Sequence, residues 1–195
     1  MRLYRWLTHQ RDDWGGKLVL LSGPGCAQTG APPAVSIASG TALALDSDSA
    51  TMKAAQRAGH LDFVVNSLDE ALRALKNEVR QRRPLSVGLI ADVTATLAEM
   101  DERGIVPDLQ LTPETLQQLL PAADEHRFAA GDVSALRAID AVLLAAIPSA
   151  DLIRHRWIER APQFLREARS GGRRIWLSEA ELAALAAQGV APVPR

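Results

Sequence analysis

Short apolar runs alternate with longer amphipathic segments along most of the chain. The run at 18–21 is continuous, which is typical of a strand that helices cover on both faces. Further runs predict strands at 41–45, 62–65, 86–91, 107–111, 141–147 and 174–177. Helical periodicity predicts helices at 1–7, 34–38, 49–58, 68–82, 93–103, 113–120, 152–168 and 179–188.

This alternation predicts an α/β fold, a three-layer Rossmann-like sandwich with a mainly parallel sheet, in a single domain over residues 1–191. The order of the sheet is expected to centre on the strand at 18–21. Asn66 or Ser67 is the predicted cap of the helix at 68–82, Ser178 is the predicted cap of the last helix, and Gly104 is a predicted helix stop. The tail at 192–195 is expected to be unordered. The predicted core consists of Leu18, Leu20, Leu43, Leu45, Val64, Val87, Leu89, Leu109, Val142, Leu144 and Ile175.

Parallel strands end at one edge of a sheet, and ligands of such sheets bind along that edge. The turn at 23–28, here called the glycine loop, follows the first strand, and Asp46 ends the second. Backbone N–H groups of a glycine turn at a helix start point at an anion, and a carboxylate beside it accepts ribose hydroxyls. The predicted cofactor-binding residues are Gly23, Pro24, Gly25, Cys26, Gln28, Asp46 and Asp92.

Each of these features also has a purely structural interpretation. Gly23 and Gly25 are compatible with a tight turn alone, because Gln28 stands where the usual fingerprint has its third glycine. Asp46 is compatible with a role as a helix-side cap, and Asp48 competes with it, although Asp48 resembles a solvated N-cap. Cys26 is compatible with a small buried residue or with a thiol of lowered pKa near a helix N-terminus.

Four blocks in order resemble the NAD-binding domain of urocanase, the urocanate hydratase of histidine degradation. They are Leu21-Ser-Gly-Pro-Gly-Cys-Ala-Gln28, Leu43-Ala-Leu-Asp-Ser-Asp48, Ser67-Leu-Asp-Glu-Ala-Leu72 and Arg103-Gly-Ile-Val-Pro-Asp108. The resemblance covers a family-like core at about 14–108 and leaves a divergent half at 109–191. It implies a Rossmann-like fold, NAD as the cofactor, and Asp46 at the position of the family's ribose-binding acid.

The departures from the family concern its chemistry. The family's Val-Thr-Asp-Gln-Thr-Ser-Ala-His-Asp-Pro segment, which holds cofactor and substrate, is replaced by the sequence at 109–117. The family's arginine falls at Thr51, and its Gly-Asn-Ala turn falls at Ala91-Asp92-Val93. The family domain that supplies an active-site cysteine has no counterpart, and Cys26 is not that cysteine. The resemblance therefore implies a nucleotide-binding part without urocanate hydratase activity of its own.

Composition narrows the remaining function classes. The formal net charge of −1 and the pI of about 6.4 disfavour nucleic acid as a partner, and the arginines between 154 and 174 are interpreted as a solvated helix face. No apolar run predicts a membrane span, and a single cysteine fits a reducing compartment, so a cytoplasmic protein is expected. The four histidines lack metal-ligand spacing, so no metal site is predicted.

Three functional hypotheses stay open. The first is a binding module that holds NAD or a related nucleotide weakly. The second is a subunit of a urocanase-like hydro-lyase that a partner chain completes. The third is a degenerate domain with a structural or protein-interaction role. A homo-oligomer and a complex with a partner protein are both compatible with the sequence.

Overall fold

A computed structural model describes residues 2–119, 125–166 and 171–193. The chain divides into two compact units, residues 2–120 and residues 121–195. The predicted single domain at 1–191 spans both units and stays a prediction. The predicted helix end near Leu120, the last residues of the predicted helix at 152–168 and the end of the tail lie outside the described residues.

The amino-terminal unit is an α/β sandwich. Its strands are β1 (Leu18–Ser22), β2 (Thr41–Asp46), β3 (Phe63–Val65), β4 (Leu85–Ile90) and β5 (Leu109–Leu111). Its helices are α1 (Arg2–Gln10), α2 (Ala31–Ile37), α3 (Ser49–Arg57), α4 (Leu68–Gln81), α5 (Val93–Glu102) and α6 (Pro113–Gln118), with a 3₁₀ turn at Cys26–Gln28. The predicted α/β fold with a parallel sheet flanked by helices is confirmed here.

The five strands are all parallel and lie in the order β3-β4-β2-β1-β5. β1 is an interior strand, as predicted, and its Val19 pairs with Ala42 of β2 on one side and with Leu109 of β5 on the other. The central position belongs to β2 rather than to β1. All six residues of β2 are buried, which is the environment that a central strand has.

Helices cover both faces of this sheet. A Cβ on Gly88 of β4 would lie 2.8 Å from Met52 of α3, so α3 packs directly on that face. The next residue back, Val87, points to the opposite face and joins a core with Leu75 of α4 and Met100 of α5. The chain therefore leaves β2 toward one face and β4 toward the other. Because β2 and β4 are neighbours, their carboxyl ends are where a ligand crevice is expected in a sheet of this kind.

Local capping explains where several helices begin and end. The Ser67 hydroxyl accepts a hydrogen bond from the backbone N–H of Glu70 at 3.3 Å, as expected for the predicted cap of α4. Gly104 follows α5 with φ at +65°, a conformation that favours glycine, and it ends that helix as predicted. Thr112 and Thr115 form a reciprocal capping box at the start of α6.

The carboxy-terminal unit has a different architecture. Its strands β6 (Glu125–Ala129) and β7 (Gly172–Trp176) form an antiparallel pair, and its helices are α7 (Val133–Ala146), α8 (Leu152–Phe164) and α9 (Glu179–Ala187). The predicted strand at 174–177 corresponds to β7, which begins two residues earlier. The Ser178 hydroxyl accepts from the backbone N–H of Glu181 at 3.3 Å and caps α9, as predicted.

Two predictions for the second unit are wrong, namely the strand at 141–147 and the placement of Val142 and Leu144 in the core. The segment at 141–147 is the end of α7 and not a strand, because a short apolar run cannot be distinguished from a buried helix segment by periodicity. Leu143 and Ile147 are buried from this region, whereas the predicted core residues Val142 and Leu144 are half-buried. Strand β6 was not predicted because most of its side chains are polar or only partly buried.

The remaining predicted core residues belong to the sheets. Six of them are buried, namely Leu20, Leu43, Leu45, Val87, Leu89 and Ile175. Three are half-buried, namely Leu18, Val64 and Leu109. The difference follows from position, since β3 and β5 are the edge strands of the sheet and Leu18 is the first residue of β1.

A buried arginine joins α8 to α9 within the second unit. Arg154 is 8% exposed, and its guanidinium donates two hydrogen bonds of 2.7 Å to the Glu181 carboxylate. It also donates to Asp151 at 2.7 Å and to the Trp176 carbonyl at 3.3 Å. The hydrogen bonds from Arg154 are the main reason that the pKa of Glu181 is lowered to about 2.

We expect Glu181→Gln to lower the free energy of unfolding of this unit by about 1.5 to 3 kcal/mol at pH 7, because charge-assisted hydrogen bonds to a buried guanidinium are lost. Since the folded pKa lies below the unfolded value of about 4.3, the stabilisation is complete above that pH and disappears as the pH falls toward 2. Urea unfolding across this pH range measures the effect. An equal difference between wild type and variant at pH 7 and pH 2.5 would contradict it.

Candidate functional site

The glycine loop is a tight turn that is packed against α6. Gly23 has φ at +116° and Gly25 has φ at +75°, so both lie where L-residues with side chains are rare. The Gly23 N–H donates to the Leu45 carbonyl of β2 at 3.0 Å. A Cβ on Gly23 would lie 3.0 Å from Cδ of Pro113, whereas a Cβ on Gly25 would meet nothing within 4 Å. Close packing therefore restricts the first glycine more than the second.

Asp46 holds the glycine loop in place. Its Oδ2 atom accepts from the Gly25 N–H at 3.0 Å, and its Oδ1 atom accepts from the Asp48 N–H at 2.9 Å. The residue is 4% exposed. One carboxylate thus fixes both the turn after β1 and the turn after β2. The predicted ribose acid does lie beside the glycine loop, but it is buried and already bonded to the backbone.

Most backbone donors of the glycine loop are already engaged, either within the loop or with β2. The Cys26 N–H donates to the Gly23 carbonyl at 3.3 Å, and the Gln28 N–H donates to the Gly25 carbonyl at 2.9 Å. Pro24 has no N–H to offer. The following helix α2 begins Ala31-Pro32-Pro33, so two of its first three residues also lack a donor. The loop therefore presents fewer free amides than a glycine-rich turn ordinarily would.

Cys26 is a small buried residue and not a thiol of lowered pKa, the other role that the sequence allowed. It is 1% exposed, and its Sγ atom donates to the Ser22 carbonyl at 3.7 Å. Burial, followed by the negative charges of Asp46 and Glu114, raises the pKa of the thiol to about 11. At neutral pH the thiol is protonated, so it is a weak nucleophile.

The other predicted site residues lie along the same edge of the sheet. Pro24 and Gln28 are exposed on the glycine loop. Asp92 is exposed at the end of β4 and caps α5 by accepting from the Ala95 N–H at 2.7 Å. The Ala91 N–H donates to the Asp46 carbonyl at 3.3 Å, which joins the ends of β4 and β2. The ends of β2 and β4 therefore lie at the same edge of the sheet as the glycine loop.

Asp48 is the N-cap of α3, as the sequence indicated. Its carboxylate accepts from the Ala50 N–H at 2.9 Å and from the Thr51 hydroxyl at 2.5 Å. The hydrogen bond from Thr51 is the main reason that the pKa of Asp48 is lowered. Thr51, at the position of the family's arginine, thus supports the cap and brings no positive charge to the edge.

Two further residues around the glycine loop were not predicted. Pro113 packs on Gly23, and the His60 ring is 3.2 Å from the Ala27 carbonyl through Nδ1. The segment at 110–112 was expected at this edge because parallel strands end together, and Gln110 donates through Nε2 to the Ser22 hydroxyl at 3.2 Å. The same rule extended by one residue would have included Pro113. His60 carries no such signal, since the loop before β3 reaches the 3₁₀ turn only in the folded chain.

The described residues contain neither a group of side chains suited to a metal ion nor a helix suited to a membrane. In the ranges 2–119, 125–166 and 171–193, no three His, Cys, Asp or Glu side chains are grouped so that they could hold a metal ion. Over the same described part of the chain, every helix is too short or too polar to cross a bilayer.

Comparison with known families identifies this fold. The Urocanase Rossmann-like domain family matches residues 4–116 of the 195 residues. The chain belongs to the urocanase Rossmann-like domain family. The resemblance seen in four sequence blocks is thereby confirmed, and the match extends it from α1 to α6. It covers the amino-terminal unit and stops before the second unit begins.

The urocanase-type match includes each element that borders the glycine loop, from β1 and β2 to the first residues of α6. In this member of the family, the first turn of α6 supplies Pro113 and Glu114 to the edge. Asp46, Asp48, Asp92 and Glu114 are the acidic side chains among the residues described above. The edge is therefore apolar at Pro113 and Cys26 and negatively charged around them.

We expect Gly23→Ala to lower the free energy of unfolding of the urocanase-type unit by about 2 to 4 kcal/mol, since a positive φ and the close contact with the Pro113 side chain both oppose a side chain. Gly25→Ala is the matched control. It has positive φ but open space around its Cβ, so a loss of about 1 kcal/mol is expected. Urea unfolding followed by tryptophan fluorescence, to which buried Trp14 contributes, measures both.

A second variant tests the contact with Pro113 itself. Pro113→Ala removes the Cδ atom, so in the Gly23→Ala background it should recover part of the lost stability. Equal losses for Gly23→Ala and Gly25→Ala, with no recovery in the double variant, would contradict this account of the loop.

Proposed function

We propose that this chain binds NAD or a related nucleotide at the carboxyl edge of its five-stranded sheet, in a weak and exchangeable way. The supporting observation is the hydrogen bond from the Gly25 N–H to the Asp46 carboxylate, within a domain of the urocanase Rossmann-like family. It brings an acid from the end of β2 to the glycine turn after β1. That pair of groups is what a nucleotide's ribose and diphosphate require.

The proposed ribose contact is compatible with the bonds that Asp46 already makes. A carboxylate has about four lone-pair sites, and the N–H groups of Gly25 and Asp48 use one on each oxygen. The second site on each oxygen remains for a ribose hydroxyl. Because Asp46 is only 4% exposed, the ribose reaches these sites only after a movement that uncovers the carboxylate while the bond from Gly25 is kept.

The diphosphate fits this edge less well than the ribose does. Pro24, Pro32 and Pro33 lack the N–H groups that a phosphate accepts from at a glycine loop and helix start. Asp48, Asp92 and Glu114 add negative charge, which repels an anionic ligand. Each missing charge-assisted contact removes on the order of 1.5 to 3 kcal/mol of binding free energy. Ready exchange of the ligand is therefore proposed rather than tight retention.

The proposed site consists of the residues singled out in the sequence. The glycine loop would lie beside the diphosphate, Asp46 beside the adenosine ribose, and Asp92 at the far wall of the crevice between β2 and β4. The cofactor-binding residues proposed are Gly23, Pro24, Gly25, Cys26, Gln28, Asp46 and Asp92. Cys26 contributes packing beneath the loop, since its thiol is buried and protonated.

We expect titration calorimetry to detect binding of NAD to the wild-type chain, and Asp46→Ala to weaken it at least tenfold, or about 1.4 kcal/mol. Asp62→Ala is the matched control. Asp62 also accepts two hydrogen bonds, from the N–H and hydroxyl of Ser86 at 2.7 and 2.9 Å, but at the amino end of β4. This control should keep the wild-type affinity within about twofold, which is about 0.4 kcal/mol.

Asp46→Asn distinguishes a loss of binding from a loss of folding, because it keeps the side-chain volume and one acceptor oxygen. Circular dichroism should show a folded chain, while the affinity falls between those of wild type and Asp46→Ala. No heat of binding with NAD, adenosine diphosphate or adenosine would overturn the nucleotide proposal. Binding that Asp46→Ala leaves unchanged would overturn the placement of the ribose.

We further propose that this chain by itself does not hydrate urocanate. Residues 109–120, which follow the family-like core, contain Glu114 as their one titratable side chain. They form β5 and the capped helix α6, whose Pro113 packs on the glycine loop. Proton transfer at neutral pH needs a group whose pKa lies near the operating pH. The pKa of Glu114 is instead lowered, mainly by a hydrogen bond with Thr112.

We expect the absorbance of urocanate to stay constant when purified chain is mixed with urocanate and NAD. A heat-denatured sample serves as the blank, and the calorimetric binding assay shows on the same preparation that the protein is competent to bind. Loss of urocanate absorbance above the blank would overturn this proposal and would mean that another part of the chain replaces the family's missing groups.

A further inference from the structure

An apolar groove lies on the α4 side of the sheet, away from the glycine loop. It encloses about 960 Å³ between α4 and the loop that connects α5 to β5. Its apolar lining is Leu18, Leu72, Leu75, Val79, Ile105 and Val106. Leu18 is the first residue of β1 and the connecting loop precedes β5, so the groove is near the amino ends of these strands. The proposed nucleotide site is at their carboxyl ends.

Val106 stands at the lip of this groove. It is 82% exposed, more than any other large hydrophobic side chain in the described ranges. Burying a valine side chain is worth about 1.5 kcal/mol or more, so such exposure in a folded chain is a cost that a partner would remove. A single exposed residue is ordinary at a protein surface, but this one continues the apolar lining of a groove.

The loop that carries Val106 is held at both ends. Arg103 forms ion pairs of 2.7 Å with Asp69 of α4 and with Glu99 of α5. Asp108 forms an ion pair of 2.9 Å with Lys17 and accepts from the Leu18 N–H at 2.9 Å. Val106 is therefore presented from a fixed loop, which reduces the entropy that binding would cost.

One rim of the groove is positively charged. Arg73, Lys76 and Arg80 follow one another on α4 at helical spacing and are all exposed. Among the described residues, Arg73 and Lys76 have no ion-pair partner, and Arg80 donates only to the Asn77 amide oxygen at 3.4 Å. The acids that line the groove are Asp69 and Asp108, and both are already paired with Arg103 and Lys17.

We propose that this groove binds an acidic amphipathic helix of a partner protein. The apolar face of that helix would cover Val106, Leu72 and Val79, and its acidic side chains would face the positively charged rim. Arg73 and Arg80 are two helical turns apart, or about 10 Å at 1.5 Å per residue, so acids seven residues apart on the partner match them. Recognition of this kind places an amphipathic helix in an apolar groove.

Charge complementarity selects this partner over other occupants. The chain as a whole has a net charge of −1, so a positively charged rim is a local feature and not a general property of the surface. A groove that follows two turns of one helix suits an elongated polypeptide. Paired acids and unpaired bases on the rim favour an acidic segment and disfavour a basic one.

A designed peptide pair tests the proposal. The first peptide is a fluorescein-labelled helix of about four turns with leucines along one face and glutamates beside them, and the second has lysine at every glutamate position. Fluorescence anisotropy with the full chain should show binding of the glutamate peptide and at least tenfold weaker binding of the lysine peptide. The affinity for the glutamate peptide should fall as salt is raised, because exposed charges are screened.

Variants locate the site. Val106→Asp should weaken binding of the glutamate peptide at least tenfold, and so should the double variant Arg73→Glu, Lys76→Glu. Leu152→Asp is the matched control, since Leu152 is 66% exposed but lies in the carboxy-terminal unit, and it should leave affinity within twofold. Thermal melts should show that Val106→Asp is folded, because the side chain it replaces is already exposed.

The outcomes separate this proposal from the nucleotide proposal. Equal binding of both peptides, or binding that Val106→Asp does not change, would overturn the groove as a site for acidic helices. Absence of binding by the glutamate peptide would overturn it as well. Calorimetry with NAD should give the same result for wild type and Val106→Asp, since the groove and the glycine loop are at opposite ends of β1.

Discussion

The carboxylate of Asp46 connects the two turns on which the edge of the sheet depends. Its two oxygens accept from Gly25 on the turn after β1 and from Asp48 on the turn after β2. The Gly25 N–H is 21 residues from Asp46 in sequence, so its bond forms only when β1 and β2 pair, whereas the bond from Asp48 is local. Because the acid is buried, losing it would leave two backbone donors without a partner in a place that water reaches poorly.

The same carboxylate has two roles under the proposed function. It stabilises the turn after β1, and in the proposed complex it would share its lone pairs with a ribose, so stability and binding would depend on one group. The prolines at 24, 32 and 33 act in the same direction, because they make the turn rigid and remove amides that a phosphate would use. A urocanase-type fold is thus retained here with an edge that favours its own closed turn over a tightly held anion.

Local signals in the sequence were sufficient for much of the fold. The strands of the parallel sheet, the cap at Ser67 and the stop at Gly104 depend on neighbouring residues and were predicted. The end of α7 was not, because an apolar run of seven residues suits a strand as well as a buried helix. The burial of Asp46 and the packing of Pro113 on Gly23 were also not predicted. Both result from contacts between residues far apart in the chain, and hydrophobic periodicity gives no information about such contacts.

The buried thiol in the glycine loop has a practical consequence. Cys26 is the one cysteine of the chain, and it lies beneath the turn that Asp46 holds closed. A thiol reagent reaches it only in molecules whose turn has opened, and when closing is faster than reaction the observed rate reports the population of the open form. Alkylation kinetics would therefore give the free energy of opening of this turn from a natural single-site probe, with no label introduced.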